Sequence, residues 1–318
     1  MKKGCFKYLI RKITPYKLRY FIRIIRNGRF REYITEIKQF KNDKNYIPSD
    51  FPLYLSIAAI VKNETPYIAE WIEYHLLVGV QKFFIYDNES TDNLREYLES
   101  YIKDGIVEYT YFSGKRQQLV AYNEIISRYK YSSFWIVFID IDEFLVPILA
   151  ETISEFLHDF EDIPGIEINQ MLYGSSGHLK KTAGLVIERF KDHSPYDHPI
   201  NRGVKSIVNP RYVFYMATAH VAEYYNGEHS VSTEKIKNIE GSLDRLSLHD
   251  KMRINHYGVK SLEEFTSRID LGRTSSPGKL PIKEFFNRDH NEIKNDAIMD
   301  KYIPIIKENL KKKNEAAE

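Results

Sequence analysis

FWIVFIDIDEFLVP, residues 134–147, places three carboxylates, Asp140, Asp142 and Glu143, at the end of an apolar run. An unpaired buried carboxylate is costly, so either the chain emerges into water at these residues or a cation meets them there. In an extended chain residues two apart point to the same side, which puts Asp140 and Asp142 together. Two carboxylates on one side repel unless a proton or a cation lies between them. A hard divalent ion such as Mg2+ or Mn2+ takes oxygen ligands, resolves that repulsion and can hold a diphosphate in turn. Asp-x-Asp alone is common; its position after a buried strand is what gives it weight.

The sequence before this run alternates strands and helices. YLSIAAIV (54–61) is a strand, and PYIAEWIEYHLLVG is a helix opened by Thr65-Pro66 and closed by Gly79. KFFIYD (82–87) is a second strand, and TDNLREYLESYIKDG a helix with Thr91 or Asp92 as its cap and Gly105 as its stop. IVEYTYF is a strand, GKRQQLVAYNEIISRYKY a helix, and FWIVFID the fourth strand. That alternation predicts an α/β protein with a doubly wound, mostly parallel sheet. Such sheets bind ligands at the carboxyl ends of their strands, so KNE, YDNEST, SGKR and DIDEF should converge on one crevice. After residue 150 the rhythm changes. GIEINQMLYG, GLVIERF and KSIVNPRYVFYM suggest short strands of a mixed sheet; SLEEFTSRID and the stretch from Lys283 to the lysine-rich tail suggest helices. Three parts follow: a basic helical extension at 1–50, a domain at 51–275 and a helical segment at 276–318.

The chain of 318 residues, 43% hydrophobic and 14% aromatic, has ample material for a core. Its single cysteine, Cys5, excludes an internal disulfide framework and a cysteine-built zinc site, and makes the reducing cytosol the expected compartment. No stretch approaches the roughly 18 apolar residues of a membrane span, and the N-terminus lacks a secretory signal, so a soluble or peripheral protein is expected. Residues 1–45 carry 14 Lys and Arg against 3 Asp and Glu although the whole chain is only +2, so the head is basic and the body acidic. The head mixes Leu, Ile, Tyr and Phe with those cations at helical spacing. Either it lies on an anionic bilayer surface or it is a helical pair packed on the body. No nucleic-acid recognition motif accompanies the charge, so nucleic acid is not an expected partner.

IVKNETPYIAEWIEYHLLVGVQKFFIYDNESTDN resembles the opening of glycosyltransferase family 92 and related family-2-like bacterial glycosyltransferases. RQQLVAYN, DIDEF, GSSGH (174–178), GLVIERF, KSIVNP and NHYGVKSLEEF continue the resemblance in order over roughly residues 55–275. LYGSSGH departs from the family pattern where Trp and Phe are expected near the glycine, and RIDLGR departs where an Arg-Gly pair is expected; both bear on acceptor contacts. The resemblance implies a GT-A-like nucleotide-sugar-binding fold, with helical extensions at both ends. It also implies transfer of a sugar from a nucleotide donor, such as a UDP-sugar, with inversion, to a saccharide or lipid-linked acceptor of surface polysaccharide or lipopolysaccharide synthesis.

The resemblance likewise implies Mn2+ or Mg2+ held by Asp142, by Asp140 directly or through water and ribose, and by His256, with Glu143 behind them. His220 is the second histidine to weigh. Asn63, Glu64, Asp87 and Asn88 either bind uracil and ribose or are ordinary turn residues. Asn123 lies in the same family-like motif as Arg116. Arg116 and Lys205, then Lys115 and Arg273, are the phosphate candidates. Inversion needs a general base, for which Glu188, Asp197 and Glu223 stand open. Gly174, Ser175 and His178 form a loop that either borders the acceptor or is a plain turn. Two other classes fit the same motif: a noncatalytic nucleotide-sugar-binding or scaffold protein, and a haloacid-dehalogenase-type phosphatase. The phosphatase expects Thr or Val where Phe144 stands.

Overall fold

The computed structural model describes residues 16–43, 45–239, 241, 245–271 and 282–317; Cys5 and Arg273 lie outside them. Strands β1 (Leu53–Val61), β2 (Lys82–Asp87), β3 (Val107–Tyr111) and β4 (Ser133–Phe138) appear where alternation places them. β1 pairs in parallel with β2 and β4, and β2 with β3. β5 (Glu143–Pro147), β6 (Gly165–Leu172), β7 (Val204–Val208) and β10 (Met252–His256) extend the sheet, while β8 (Val213–Met216) and β9 (Ala222–Tyr224) form a separate ribbon. The sheet order is β3-β2-β1-β4-β7-β6-β10-β5, the mixed, mostly parallel α/β architecture expected.

The longer helices are α1 (Tyr16–Arg26), α2 (Phe30–Asp43), α3 (Thr65–Leu77), α4 (Gln118–Tyr129), α5 (Leu262–Leu271) and α6 (Ile303–Ala317). Successive strand side chains point to opposite faces. Leu55, Ile57, Ala59 and Val61 of β1 therefore join Trp71 and Ile72 of α3 in one core layer, while Ala58 and Ile60 join Ala121 and Ile125 of α4 in the other.

Three expectations need correction. The fourth strand, expected over FWIVFID, stops at Phe138, and the end of the 134–147 run, from Glu143, forms a strand of its own: β4 lies inside the sheet, whereas β5 forms its far edge, antiparallel to β10. GLVIERF is not a strand; Val186–Arg189 is a helical turn because the Glu70 carboxylate accepts the N–H groups of Val186 and Ile187 at 2.7 and 3.0 Å. Asp92 does not cap its own helix, which begins after Asn93 in the left-handed region; it accepts from Thr65 N at 2.9 Å and so caps α3. The C-terminal segment docks on the domain: Tyr302 packs edge-on against Tyr74, Asn309 donates to Glu73, and Arg253 binds Asp296.

Helix α3 is buried from Ile68 to His75, and EWIEYH serves the sheet edge. β5 has no strand on its outer side, and side chains of α3 satisfy its backbone there. Trp71 Nε1 donates to Glu143 O at 2.8 Å, Tyr74 OH to Leu145 O at 3.1 Å, and Leu145 N to His75 Nε2 at 3.2 Å. His75 Nδ1 faces Trp71 O at 2.8 Å, so the network assigns a neutral ring with the proton on Nδ1. Burial pushes the His75 pKa down to about 3, against the Trp71 carbonyl, which favours the charged form. The unfolded chain therefore takes up this proton first. Its contribution to stability is complete above about pH 6.5 and is lost at roughly 1.4 kcal/mol per pH unit below that. Urea unfolding at pH 7.5 and 5.5 should show His75→Leu less stable than wild type at the higher pH yet less sensitive to acid by about 1.4 kcal/mol. An equal pH response in both proteins would refute the assignment.

Candidate active site

The pairings fix which strand ends share an edge. β4 is antiparallel to β7, β7 to β6, and β6 is parallel to β10, so β1, β2, β4, β6 and β10 all end on the same side. The starts of the antiparallel strands β5 and β7 lie there too. One edge thus collects Asn63 and Glu64 after β1, Asp87 at the end of β2, the Asp140–Asp142 turn after β4, Glu143 at the start of β5, Lys205 on β7 and His256 on β10.

Asp140 and Asp142 go separate ways in the turn. Lys205, 1% exposed, places Nζ 2.6 Å from Asp140 Oδ2 and 3.0 Å from Glu143 Oε2. Glu143 closes the turn by accepting from Asp140 N at 3.0 Å and also accepts from Gln170. Burial raises the Glu143 pKa, with Lys205 opposing. Burial alone would lower the Lys205 pKa, but Asp140 and Glu143 outweigh it and hold the ammonium well above its ordinary value.

Asp142 faces a second set of side chains. Arg268 of α5 donates through Nη1 to Asp142 Oδ2 at 2.7 Å and through Nη2 to Gly258 O at 2.9 Å. His256 Nε2 stands 3.7 Å from Asp142 Oδ1. Gly258 makes room for that ring, since a Cβ there would lie 2.8 Å from His256 Nε2. Burial opposes ionisation of Asp142, but His256, Arg268 and Lys260 overcome it and hold the carboxyl well below the usual range. Beside them is a cavity of about 250 Å³ lined by Glu64, Tyr67, Gly258, Lys260 and Arg268 among others. Burial pushes Glu64 up to about 7 against the pull of Lys260 and Arg268, and burial lowers Lys260, whose ammonium sits 4.4 Å over the Tyr67 ring.

Among the described residues no group of three His, Cys, Asp or Glu side chains is assembled to hold a metal. The Asp140–Asp142–His256 set is therefore present as a pair, because Lys205 draws the Asp140 carboxylate away. The pair itself fits: two donors each about 2.1 Å from one ion stand roughly 3–4 Å apart, as Asp142 Oδ1 and His256 Nε2 do.

Asn63, Asp87 and Asn88 tie together the ends of β1, β2 and β3 and the loops that follow them. Asn63 Oδ1 accepts from Thr91 N at 2.7 Å, Asp87 from Tyr109 OH at 2.6 Å and Ser90 N at 2.8 Å, and Asn88 donates to the carbonyls of Phe112 and Gly114. Asn123 spans α4 and β8, bonded to Leu119 O and to Met216 N. Arg116 and Lys115 are exposed in the loop before α4. His220 directs Nδ1 to Val204 O at 3.0 Å.

Of the three candidate bases, Glu188 is ion-paired to Lys307, which lowers its pKa, and Glu223 to Arg23; Asp197 is exposed in the loop leading to β7. In the glycine-serine loop, Ser175 is buried and bonded through N and Oγ to Asp289, and a Cβ on Gly174 would strike His290 O at 2.3 Å. His178 stays half-buried, edge-on to Phe190.

The family model of glycosyltransferase family 92 matches residues 52–300. The chain belongs to glycosyltransferase family 92. Curated relatives include a family 92 protein of Oryza sativa subsp. japonica, 26% identical over 198 residues that cover 54% of this chain and 34% of the relative. The galactan β-1,4-galactosyltransferase GALS2 of Arabidopsis thaliana is 26% identical over 177 residues, 51% of this chain and 34% of its own length. The chain spans about a third of the length of these relatives. Among solved structures, S. aureus TarS in complex with UDP-GlcNAc is similar at a TM-score of 0.42 and 11% identity, over 74% of this chain and 64% of that one.

Family 92 membership sets the phosphatase alternative aside. The geometry adds two side chains that sequence reasoning did not assign to the site, Lys260 and Arg268. Both stand in stretches already quoted, NHYGVKSLEEF and RIDLGR. The signal was a cation next to a family-like motif, and only folding shows that each is turned toward Glu64 and Asp142.

Proposed function

We propose that this chain is a metal-dependent, inverting glycosyltransferase that moves a hexosyl unit from a UDP-sugar to a saccharide or lipid-linked acceptor. Its setting would be surface polysaccharide or lipopolysaccharide synthesis at the cytoplasmic face of the membrane. The observation that carries the reading is the junction of Asp142, His256, Lys260 and Arg268 with the Glu64 cavity at the strand ends. Asp142 and His256 would hold Mn2+ or Mg2+, which when bound neutralises charge developing on the departing diphosphate.

Lys260 and Arg268 line the same cavity as cations for phosphate oxygens, Arg268 being held in place by its bonds to Asp142 and Gly258 O. Lys205 holds the Asp140 turn from below. Among the described residues Asp197 forms no ion pair, which makes it the base candidate to replace first.

The test is UDP release by the purified chain with Mn2+ and a panel of UDP-sugars. UDP-galactose comes first, because one relative is a galactan galactosyltransferase. Release that stops with EDTA and returns with Mn2+ is expected. Full release in EDTA would refute the metal assignment and leave Lys260 and Arg268 to carry the diphosphate. Tight donor binding without turnover would favour the noncatalytic alternative.

A further inference from the structure

The α1–α2 pair is apolar on two sides. Its inner side packs on the β8–β9 ribbon: Tyr20, Ile24, Tyr33 and Phe40 are buried with Phe214 and Tyr225. Tyr225 OH also donates to Glu36, and Arg23 pairs with Glu223. A surface helix normally needs one apolar stripe, and this one is accounted for. Yet Leu18, Ile22 and Ile25, spaced one turn apart on the opposite face of α1, are 52%, 44% and 58% exposed. Phe30 and Ile34 of α2, also one turn apart, are 44% and 45% exposed.

The charge around this second stripe has one sign. Lys17, Arg26, Arg31, Lys38 and Lys41 are exposed in the same two helices, against exposed Glu32, which is taken by Arg29. Apolar residues amid exposed cations match the boundary of an anionic bilayer, where acyl chains take the former and headgroup phosphates the latter. Among the described residues no helix is long and apolar enough to cross a membrane, so the contact is with the surface.

We infer that the outer face of α1 and α2, centred on Leu18, Ile22 and Ile25, is a docking surface for an anionic phospholipid bilayer. The packed-pair and bilayer alternatives for the basic head are then two faces of one element. The inference does not depend on the donor or on turnover, because binding is measured without nucleotide.

The full chain should sediment with vesicles of phosphatidylglycerol and phosphatidylcholine and remain in solution with phosphatidylcholine alone. Leu18→Ser/Ile22→Ser/Ile25→Ser, which leaves the inner face intact, should weaken binding by at least about tenfold. Arg26→Glu/Arg31→Glu/Lys38→Glu should do the same, and wild-type binding should fall as added salt shortens the screening length below about 10 Å. Point variants are preferred to deleting the head, which would uncover Phe214 and Tyr225. Unchanged thermal unfolding of both variants confirms that the fold survives. A wild-type chain that ignores anionic vesicles, or binding that neither variant weakens, overturns the inference. So does a Ser variant that instead converts a dimer to a monomer in light scattering, because the stripe would then join two copies of the chain.

Discussion

Asp142→Asn is expected to lower Mn2+-dependent UDP release by about a thousandfold, the equivalent of roughly 4 kcal/mol of transition-state stabilisation. Asparagine keeps the size of the side chain and can still accept from Arg268, so the α5 contact survives in weakened form. What it loses is the charge that His256 and Arg268 hold ionised against the cost of burial. Without that charge a divalent ion has one protein ligand of the observed pair. Mn2+ affinity, read by calorimetry in the presence of UDP, should fall together with the rate. Thermal stability should drop only by a few degrees, since one charge-assisted bond is weakened and none of the core is touched. Activity above a tenth of wild type, or loss of activity with Mn2+ affinity intact, would remove Asp142 from the metal.

How much of this was legible before folding depends on whether the cause was local. β2 was readable to the residue, and β1 and β4 nearly so, because buried parallel strands are continuous apolar runs between turn residues. The break between β4 and β5 was not. The intervening residues, Ile139 to Asp142, contain no Gly, Pro or Asn, and the turn is held by Glu143 on Asp140 N and by Lys205 from a strand 65 residues on. The helical turn at Val186–Arg189 was missed for the same reason: its first N–H groups bond to Glu70, 116 residues earlier. A β-branched pair reads as strand until such a partner intervenes.

The candidate site follows the same rule. Asp142 and His256 could be named as candidates from sequence because each stands in a recognisable motif, Asp142 in the turn after β4 and His256 at the end of β10. Lys260 and Arg268 were not, because a cation in a loop or on a helix is ordinarily solvated. Their placement against Glu64 and Asp142 arises only when the loop after β10 and helix α5 fold back over the start of α3. Asn63, Asp87 and Asn88 show the converse. Their polarity at strand ends is equally well explained by the loop hydrogen bonds they make.

Lys205→Met separates the two roles open to that residue. A lysine that contacts donor phosphate could be removed with a rise in KM and little effect on folding. The geometry requires the opposite. Lys205 Nζ is the cation held between Asp140 and Glu143, and both it and Glu143 are 1% exposed. Removing one member of a buried ion pair leaves an uncompensated charge, which costs about 3–5 kcal/mol. Urea unfolding should register that loss at pH 7, and the rate should fall as well because the Asp140 turn loses its anchor.

Two further measurements tie the loss to Glu143 in particular. Glu143→Gln added to Lys205→Met should recover part of the stability, since the amide needs no counter-charge, so the two changes should not be additive. The deficit of the single variant should also shrink as the pH falls. Burial already raises the Glu143 pKa with Lys205 opposing, and without Lys205 the folded carboxyl lies higher still. The folded state then binds a proton that the unfolded chain, with Glu near 4.3, does not, and acid favours folding of the variant between those two values. A Lys205→Met protein as stable as wild type at pH 7, with only its donor KM changed, would return Lys205 to the phosphate.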